Sequence, residues 1–227
     1  VINWDYIASL DFSVAWEFRE VLWQGFLTTL TLLALSSILG FLGGVVLAVG
    51  AFSRLKIISW LVAAYVELWR NTPLVVQLIW IHFALPTFTG INTTAWQSGL
   101  VTLVLGVTAY FTEIVRAGIG AIHRGQWEAA HALGLSAWTI WVRVILPQAV
   151  RIVVPPLASL VINVFKATAI LSILSVNELM QVANKISNYT FKPVEIITTV
   201  ATIYFITGYV LSLAAARLER SFRRADR

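Results

Sequence analysis

The chain has 227 residues, of which 59% are apolar and only 12% charged, with a mean hydropathy of +0.82. A soluble domain carries about 25% charged residues and could not hide so much apolar surface, so secreted, cytosolic and disordered proteins are excluded. An integral membrane protein remains. Cysteine is absent, which removes disulfides, thiolate metal sites and thiol nucleophiles. The net charge of +5 would suit nucleic acid in a soluble chain, whereas in a membrane chain it reports topology through its placement.

A bilayer-spanning helix needs roughly 20 mostly apolar residues. No signal peptide is expected, because Arg19 is the first basic residue and Asp5, Asp11 and Glu17 precede it. The first span is expected over Phe26–Phe52, inside a charge-free run that begins at residue 21. The second covers residues 57–86 and is interrupted by Glu67, Arg70 and the helix-breaking Asn71-Thr72-Pro73. A turn over residues 87–94 leads into the third, from Trp96 to Val115. The fourth runs from Pro147 to Val176 and the fifth from Ile196 to Ala216.

Five spans put the termini on opposite sides, and the positive-inside rule chooses between the two orientations. With the N-terminus outside, the cytoplasmic side receives Arg54, Lys56, Arg116, Arg124, Arg143 and Arg151, together with Arg217, Arg220, Arg223, Arg224 and Arg227. The outer side keeps Arg19, Lys185 and Lys192, while Arg70 and Lys166 fall within spans. Orientation thus accounts for the basic excess, and no nucleic-acid partner is expected. Residues 1–227 read as one membrane domain, with 1–21 as an outer N-terminal segment and 116–146 as its longest cytoplasmic loop.

That loop carries the clearest pattern. Gly125 is expected to end one element and residues 126–133 to form a short helix, with Glu128 in its first turn near the positive end of the dipole. Trp127, Ala130 and Leu133 or Gly134 recur on one thin face that a partner could approach closely. Gly134 offers a C-terminal stop, and Pro147 begins the next helix where no N–H donor is needed. Two readings stand on these residues: an interfacial helix anchored by Trp127, Trp138 and Trp141, or a docking helix.

Glu128-Ala129-Ala130, then Gly134, Val144 and Leu146-Pro147 at fixed spacing resemble the EAA loop of ATP-binding-cassette importer permeases. That family usually has Ile where this chain has Val144. Ala109 to Ile119 and Gly125-Gln126-Trp127-Glu128-Ala129-Ala130 are similar to its polar amino-acid branch, which carries histidine, glutamate, glutamine, arginine and opines. The run from Glu67 to Leu74 also fits that branch, as do Leu146 to Ala149, Pro155-Pro156 and Asn163 to Thr168, with Ala169 where the branch commonly has Ser.

The resemblance implies an all-α transmembrane domain of the type I importer kind, forming half of a translocation pathway with a second permease, identical or homologous. It implies two cytoplasmic ABC ATPase subunits that receive the loop through Gly125, Gln126, Glu128, Ala129, Ala130 and Gly134. A solute-binding protein would deliver an amino acid outside. ATP and Mg would sit on the partner ATPase and no cofactor on this chain, which contains no G-x-x-x-x-G-K-[ST] phosphate loop.

Ionisable groups inside a bilayer cost roughly 2.5–3.5 kcal/mol each on insertion scales and default to functional roles. Glu67 and Arg70, three apart, can neutralise each other on one helix face. Asn71 can bond the backbone freed by Pro73, so the second span is expected to break there. The pair is either a fixed strut of a bent helix or a feature facing a substrate carboxylate. Lys166, with Asn163 one turn earlier, either pairs with Glu67 or snorkels to the outer headgroups. The expected pathway residues are Glu67, Arg70, Asn71, Thr72, Asn163, Lys166 and Thr168.

Glu113 and Arg116 form another three-apart pair, read as structural. Ser36, Gly40, Gly44 and Ala48 place small residues at every fourth position, which predicts close helix packing. His82, His123 and His131 lack metal-ligand spacing, and no nucleophile motif occurs, so catalysis has no candidate. A channel, or a structural membrane subunit with no ATPase partner, is the alternative class. No selectivity filter or charged ring speaks for a channel.

Overall fold

A computed structural model describes residues 8–224, with side chains to Ser221. Residues 1–7 of the N-terminal segment and Arg227 lie outside the described residues, as do the side chains of Arg223 and Arg224. Every regular element among the described residues is helical.

Nine elements follow in chain order. A short α1 (Ser13–Glu17) leads into α2 (Arg19–Ala51), which starts seven residues before the expected Phe26. Next come α3 (Lys56–Asn71) and α4 (Leu74–Thr89), whose axes meet at 107° across Thr72-Pro73. The break is at the expected place, although Asn71 bonds the Glu67 carboxylate rather than backbone, and it is the Thr72 Oγ1 that donates to a last-turn carbonyl, that of Leu68, at 2.8 Å. Gly90, at φ 71°, closes α4 where an L side chain would be strained.

After the turn, α5 (Ala95–Gly120), α6 (Arg124–Ala132), α7 (Ala137–Leu174), α8 (Leu179–Thr190) and α9 (Pro193–Arg224) complete the chain. Among the described residues, four helices are long and apolar enough to cross a membrane: α2, α5, α7 and Pro193–Ser221 of α9. A fifth crossing exists when the bent pair α3–α4 counts as one span.

The fourth expected span begins ten residues early. Pro147 does not open a helix but lies inside α7, just after a π-helical stretch, Ile140–Ile145. A second π stretch, Trp80–Ala84 in α4, likewise ends two residues before a proline, Pro86. Proline cannot donate to the carbonyl four residues back, and its ring crowds that carbonyl. In both helices the residue before the proline bonds five residues back instead, Leu85 to Trp80 and Leu146 to Trp141, and the wider turn makes room for the ring.

The chain divides into two compact units, each drawn from three stretches. One comprises residues 8–36, 75–103 and 164–210. Its core packs α8 through Leu179, Val182, Ala183 and Ile186 against Val14, Leu22, Ile196 and Val200. Glu178, fully buried, caps α8 by accepting the N–H groups of Met180 (2.9 Å) and Gln181 (2.7 Å), and the Tyr204 hydroxyl donates to it at 3.0 Å. Asp11 pairs with Lys192 at 2.7 Å, tying the N-terminal segment to the start of α9. Hydrogen bonds from Lys192 and Ser13 hold the Asp11 carboxyl well below the usual carboxylate range.

The other unit comprises residues 37–74, 104–163 and 211–224. Here the small-residue stripe of α2 meets α5 as its spacing predicts. A Cβ at Gly40 would come within 2.5 Å of Val107, and one at Gly44 would overlap the Phe111 ring. The close approach lets Thr108 and Thr112 donate to the carbonyls of Gly40 (3.3 Å) and Gly44 (3.4 Å). These hydroxyls take the place of side-chain bulk and satisfy polar groups that hydrocarbon could not.

Candidate functional site

The sequence pattern concentrates on α6, and its local geometry follows from its caps. α5 stops at Gly120, so Gly125 lies inside α6 rather than ending an element. His123 is the N-cap, with Nδ1 accepting the Gly125 N–H at 3.1 Å. Glu128 is therefore in the second turn and not the first, where it meets Arg124 at 3.1 Å in an exposed i,i+4 pair. Such a surface pair contributes about 0.3–0.5 kcal/mol. At the other end Gly134 takes φ 66°, its N–H reaching the His131 carbonyl (2.9 Å) while Leu135 reaches that of Ala130 (3.2 Å). This is a Schellman stop, as the glycine predicts.

Of the face expected to be approachable, Trp127 and Ala130 point inward while Leu133 stays exposed. Ala130 is only 3% exposed, packed with Ile122, Ile140, Ile145 and Ala149. Trp127 lies edge-on to Trp141 at 5.2 Å, and Gln148 donates to the Gln126 side chain at 3.2 Å. Apolar burial, worth about 25 cal/mol per Å2, thus fixes α6 to the first turns of α7. The outward face carries Glu128, Ala129, Ala132 and Leu133, the last 77% exposed. A short helix seated on one face and bare on the other is a rigid, presented surface.

The second place is a charged cluster on α3 and α5. Arg70 pairs with Glu113 at 3.7 Å, not with Glu67, and its guanidinium lies 5.8 Å from the Tyr110 ring centroid. Glu67 instead accepts from the Asn71 amide at 2.6 Å. Arg116 grips Glu113 with two bonds, 2.8 and 2.7 Å, as the three-residue spacing predicts. One carboxylate thus holds two guanidinium groups, and the Tyr65 hydroxyl bonds the Leu105 carbonyl (2.8 Å) on the same pair of helices. The Glu67–Arg70 pair failed as an expectation because the i,i+3 rule ranks neighbours on one helix and is blind to a better acceptor on another.

Of the remaining expected pathway residues, Asn163 and Lys166 are exposed on α7. Thr168 is buried, with its hydroxyl donating to the Phe165 carbonyl at 2.6 Å, and Thr72 is committed to Leu68. The Glu113–Arg116 pair was expected, but Glu113 and Tyr110 as partners of Arg70 were missed, since no local spacing links α3 to α5, and so was Glu178. Glu178 could have been found as a lone carboxylate just ahead of the apolar stripe Leu179, Val182, Ala183 and Ile186. His82 bonds Ser98 at 2.9 Å, and no cluster of three metal-ligating side chains occurs among the described residues.

The described residues thus form an all-helical membrane domain that carries a short loop helix seated on one face and bare on the other. Residues 40–224 match the family model described as the inner membrane component of binding-protein-dependent transport systems, and the chain belongs to that family. Its place is the bacterial inner membrane. It is similar to the arginine transport system permease protein ArtQ of Bacillus subtilis, 31% identical over 96% of this chain and 100% of that one. It is also similar to the glutamine permease protein GlnP of Escherichia coli K12, 35% identical over 94% and 98%. The L-cystine permease protein TcyB of Bacillus subtilis is 33% identical over 98% and 92%. A crystal structure of an amino acid ABC transporter with histidines superposes at a TM-score of 0.90, with 33% identity over 94% of this chain and 99% of that one. The MetNI methionine transporter, at 23% identity and 0.75, shares the fold.

Proposed function

We propose that this chain is the permease subunit of an ATP-driven amino-acid importer, with α6 as the helix that receives work from a separate ATPase. The observation that carries this is the seating of α6: Trp127 and Ala130 inward, Ala129, Ala132 and Leu133 outward, and a glycine stop beyond. The names of the arginine, glutamine and cystine relatives support an amino-acid substrate. The functional unit is two permeases, identical or homologous, two cytoplasmic ATPases that hold ATP and Mg, and a solute-binding protein outside.

The N-terminus is outside and α6 cytoplasmic, in keeping with the eleven basic residues that this orientation puts on the inner side. Coupling runs through Gly125, Gln126, Glu128, Ala129 and Gly134, with Ala130 as the buried anchor rather than a contact. Glu67, Arg70, Asn71, Asn163 and Lys166 serve the substrate pathway.

The absence of cysteine gives a clean test. A single cysteine at Leu133 should cross-link to a cysteine on the ATPase subunit within the assembled transporter, while one at Ala130 should stay unreactive. If an ATPase co-purifies and positions 129 and 133 never react with it, α6 is not the coupling helix.

A further inference from the structure

Within the second unit, α2, α5 and the first half of α7 enclose a groove of about 900 Å3, at the upper end of the range for ligand sites. Its lining is entirely apolar from Phe41 to Phe52, from Phe111 to Ile119 and from Ala137 to Leu157, with the indoles of Trp138 and Trp141 at the α7 end. No lining residue carries a charge, hydroxyl or amide side chain. Several, including Val45, Val49 and Val150, are exposed on membrane-length helices.

Basic residues follow the groove's aromatic end closely in the sequence. Phe52 and Trp141 meet edge to face with centroids 6.2 Å apart, which brings the end of α2 to the start of α7. Two and four residues beyond Phe52 come Arg54 and Lys56, and two beyond Trp141 comes Arg143. All three are exposed, and none has an ion-pair partner among the described residues. An apolar channel ending in indoles and then in unpaired cations has the polarity profile of one leaflet read from hydrocarbon to headgroup.

We propose that the groove binds an acyl chain of an anionic membrane phospholipid, whose headgroup is held by Arg54, Lys56 and Arg143. A hydrocarbon chain restores dispersion contacts that bare walls lack, and the headgroup supplies the missing negative charge. A second copy of this chain set symmetrically on the groove would bring the same basic rim and place like charges together, so lipid is the better occupant. The inference does not rest on the coupling role of α6.

The test uses the full permease in its purified assembly, reconstituted in phosphatidylcholine vesicles doped with phosphatidylglycerol bearing a photoreactive acyl chain. Irradiation should label Val45, Val49 and Val150 in preference to Phe205 and Val210, exposed positions of the membrane-length α9. Arg143→Gln should lower that labelling about fivefold, the equivalent of the ~1 kcal/mol one basic residue contributes near an anionic surface. Labelling by a phosphatidylcholine probe should be unaffected. Val45→Trp with Val150→Trp should block both probes; should that variant not assemble, the Arg143→Gln comparison decides alone. Equal labelling of the groove and of α9, or indifference to Arg143→Gln, overturns the proposal. So does an efficient disulfide between two copies of a Val49→Cys variant.

Discussion

Two helical stretches meet proline and respond in opposite ways. At Pro73 the helix ends, Thr72 turns extended (φ −101°, ψ 134°), and the next helix leaves at 107°. At Pro147 the helix continues, with Leu146 helical at φ −59°, ψ −43°, and even Pro155-Pro156 further along leave α7 unbroken. The ring is the same, so the neighbours decide. Before Pro73 stand Asn71 and Thr72: the Thr72 hydroxyl gives the Leu68 carbonyl another partner, and the Asn71 amide donates to the Glu67 carboxylate. Before Pro147 stands a π turn, apolar but for Arg143, that absorbs the ring, and the Gln148 amide covers the Val144 carbonyl at 2.7 Å. Termination at Pro73 goes with polar neighbours and π widening with continuation at Pro86 and Pro147, whereas regular α winding carries Pro155-Pro156.

The largest test removes what anchors the broken side. Glu113→Ala would leave Arg70 and Arg116 together without their carboxylate. It should lower stability by about 2 kcal/mol, below the 3–5 of a fully buried pair because these groups are partly exposed. Lys166→Ala, on the exposed face of the continuous helix, should stay within about 0.5 kcal/mol. Chemical unfolding of the two purified variants measures both, and equal losses would deny that the break is specially braced.

Next in size is the break itself. Pro73→Ala alone should leave α3 and α4 bent, because Thr72 still terminates α3. Thr72→Val with Pro73→Ala should fuse them, at a loss of about 1 kcal/mol for the hydroxyl bond. Spin labels at cysteines replacing Trp60 and Phe83 should then move apart. Straightening by the single change would mean that proline acts unaided.

The smallest effect is expected at Pro147. Its replacement by alanine should let Ile140–Ile145 relax toward ordinary α winding, with a stability change within about 0.5 kcal/mol. Slower amide exchange over residues 140–147 would register it; loss of helix there would reverse the comparison.

Much of this was legible beforehand because membrane sequence is constrained. Charge-free runs marked the apolar helices, the every-fourth small residues of α2 marked its contact with α5, and Gly134 marked a stop that only a residue free of Cβ makes without strain. What escaped was of two kinds. Pairings between distant segments, Arg70 with Glu113 above all, have no local spacing to betray them. Helix α8 stayed hidden because Gln181, Asn184, Lys185 and Asn188 dilute its buried stripe below the level of a span. The α6 face was misassigned for a related reason. A thin apolar stripe says that something packs there, and here the packing partner is α7 of the same chain.

The π turn over Ile140–Ile145 has one more consequence. It stores a surplus residue, and a surplus residue can migrate along a helix one position at a time while the ladder re-forms behind it. Each step would turn the residue it passes by about 100°, the angle between successive residues, and leave the helix on either side where it was. Trp141 lies in that turn and touches Trp127 on one side and Phe52 on the other. α6 is therefore seated on α7 at a turn whose winding already departs from the regular ladder.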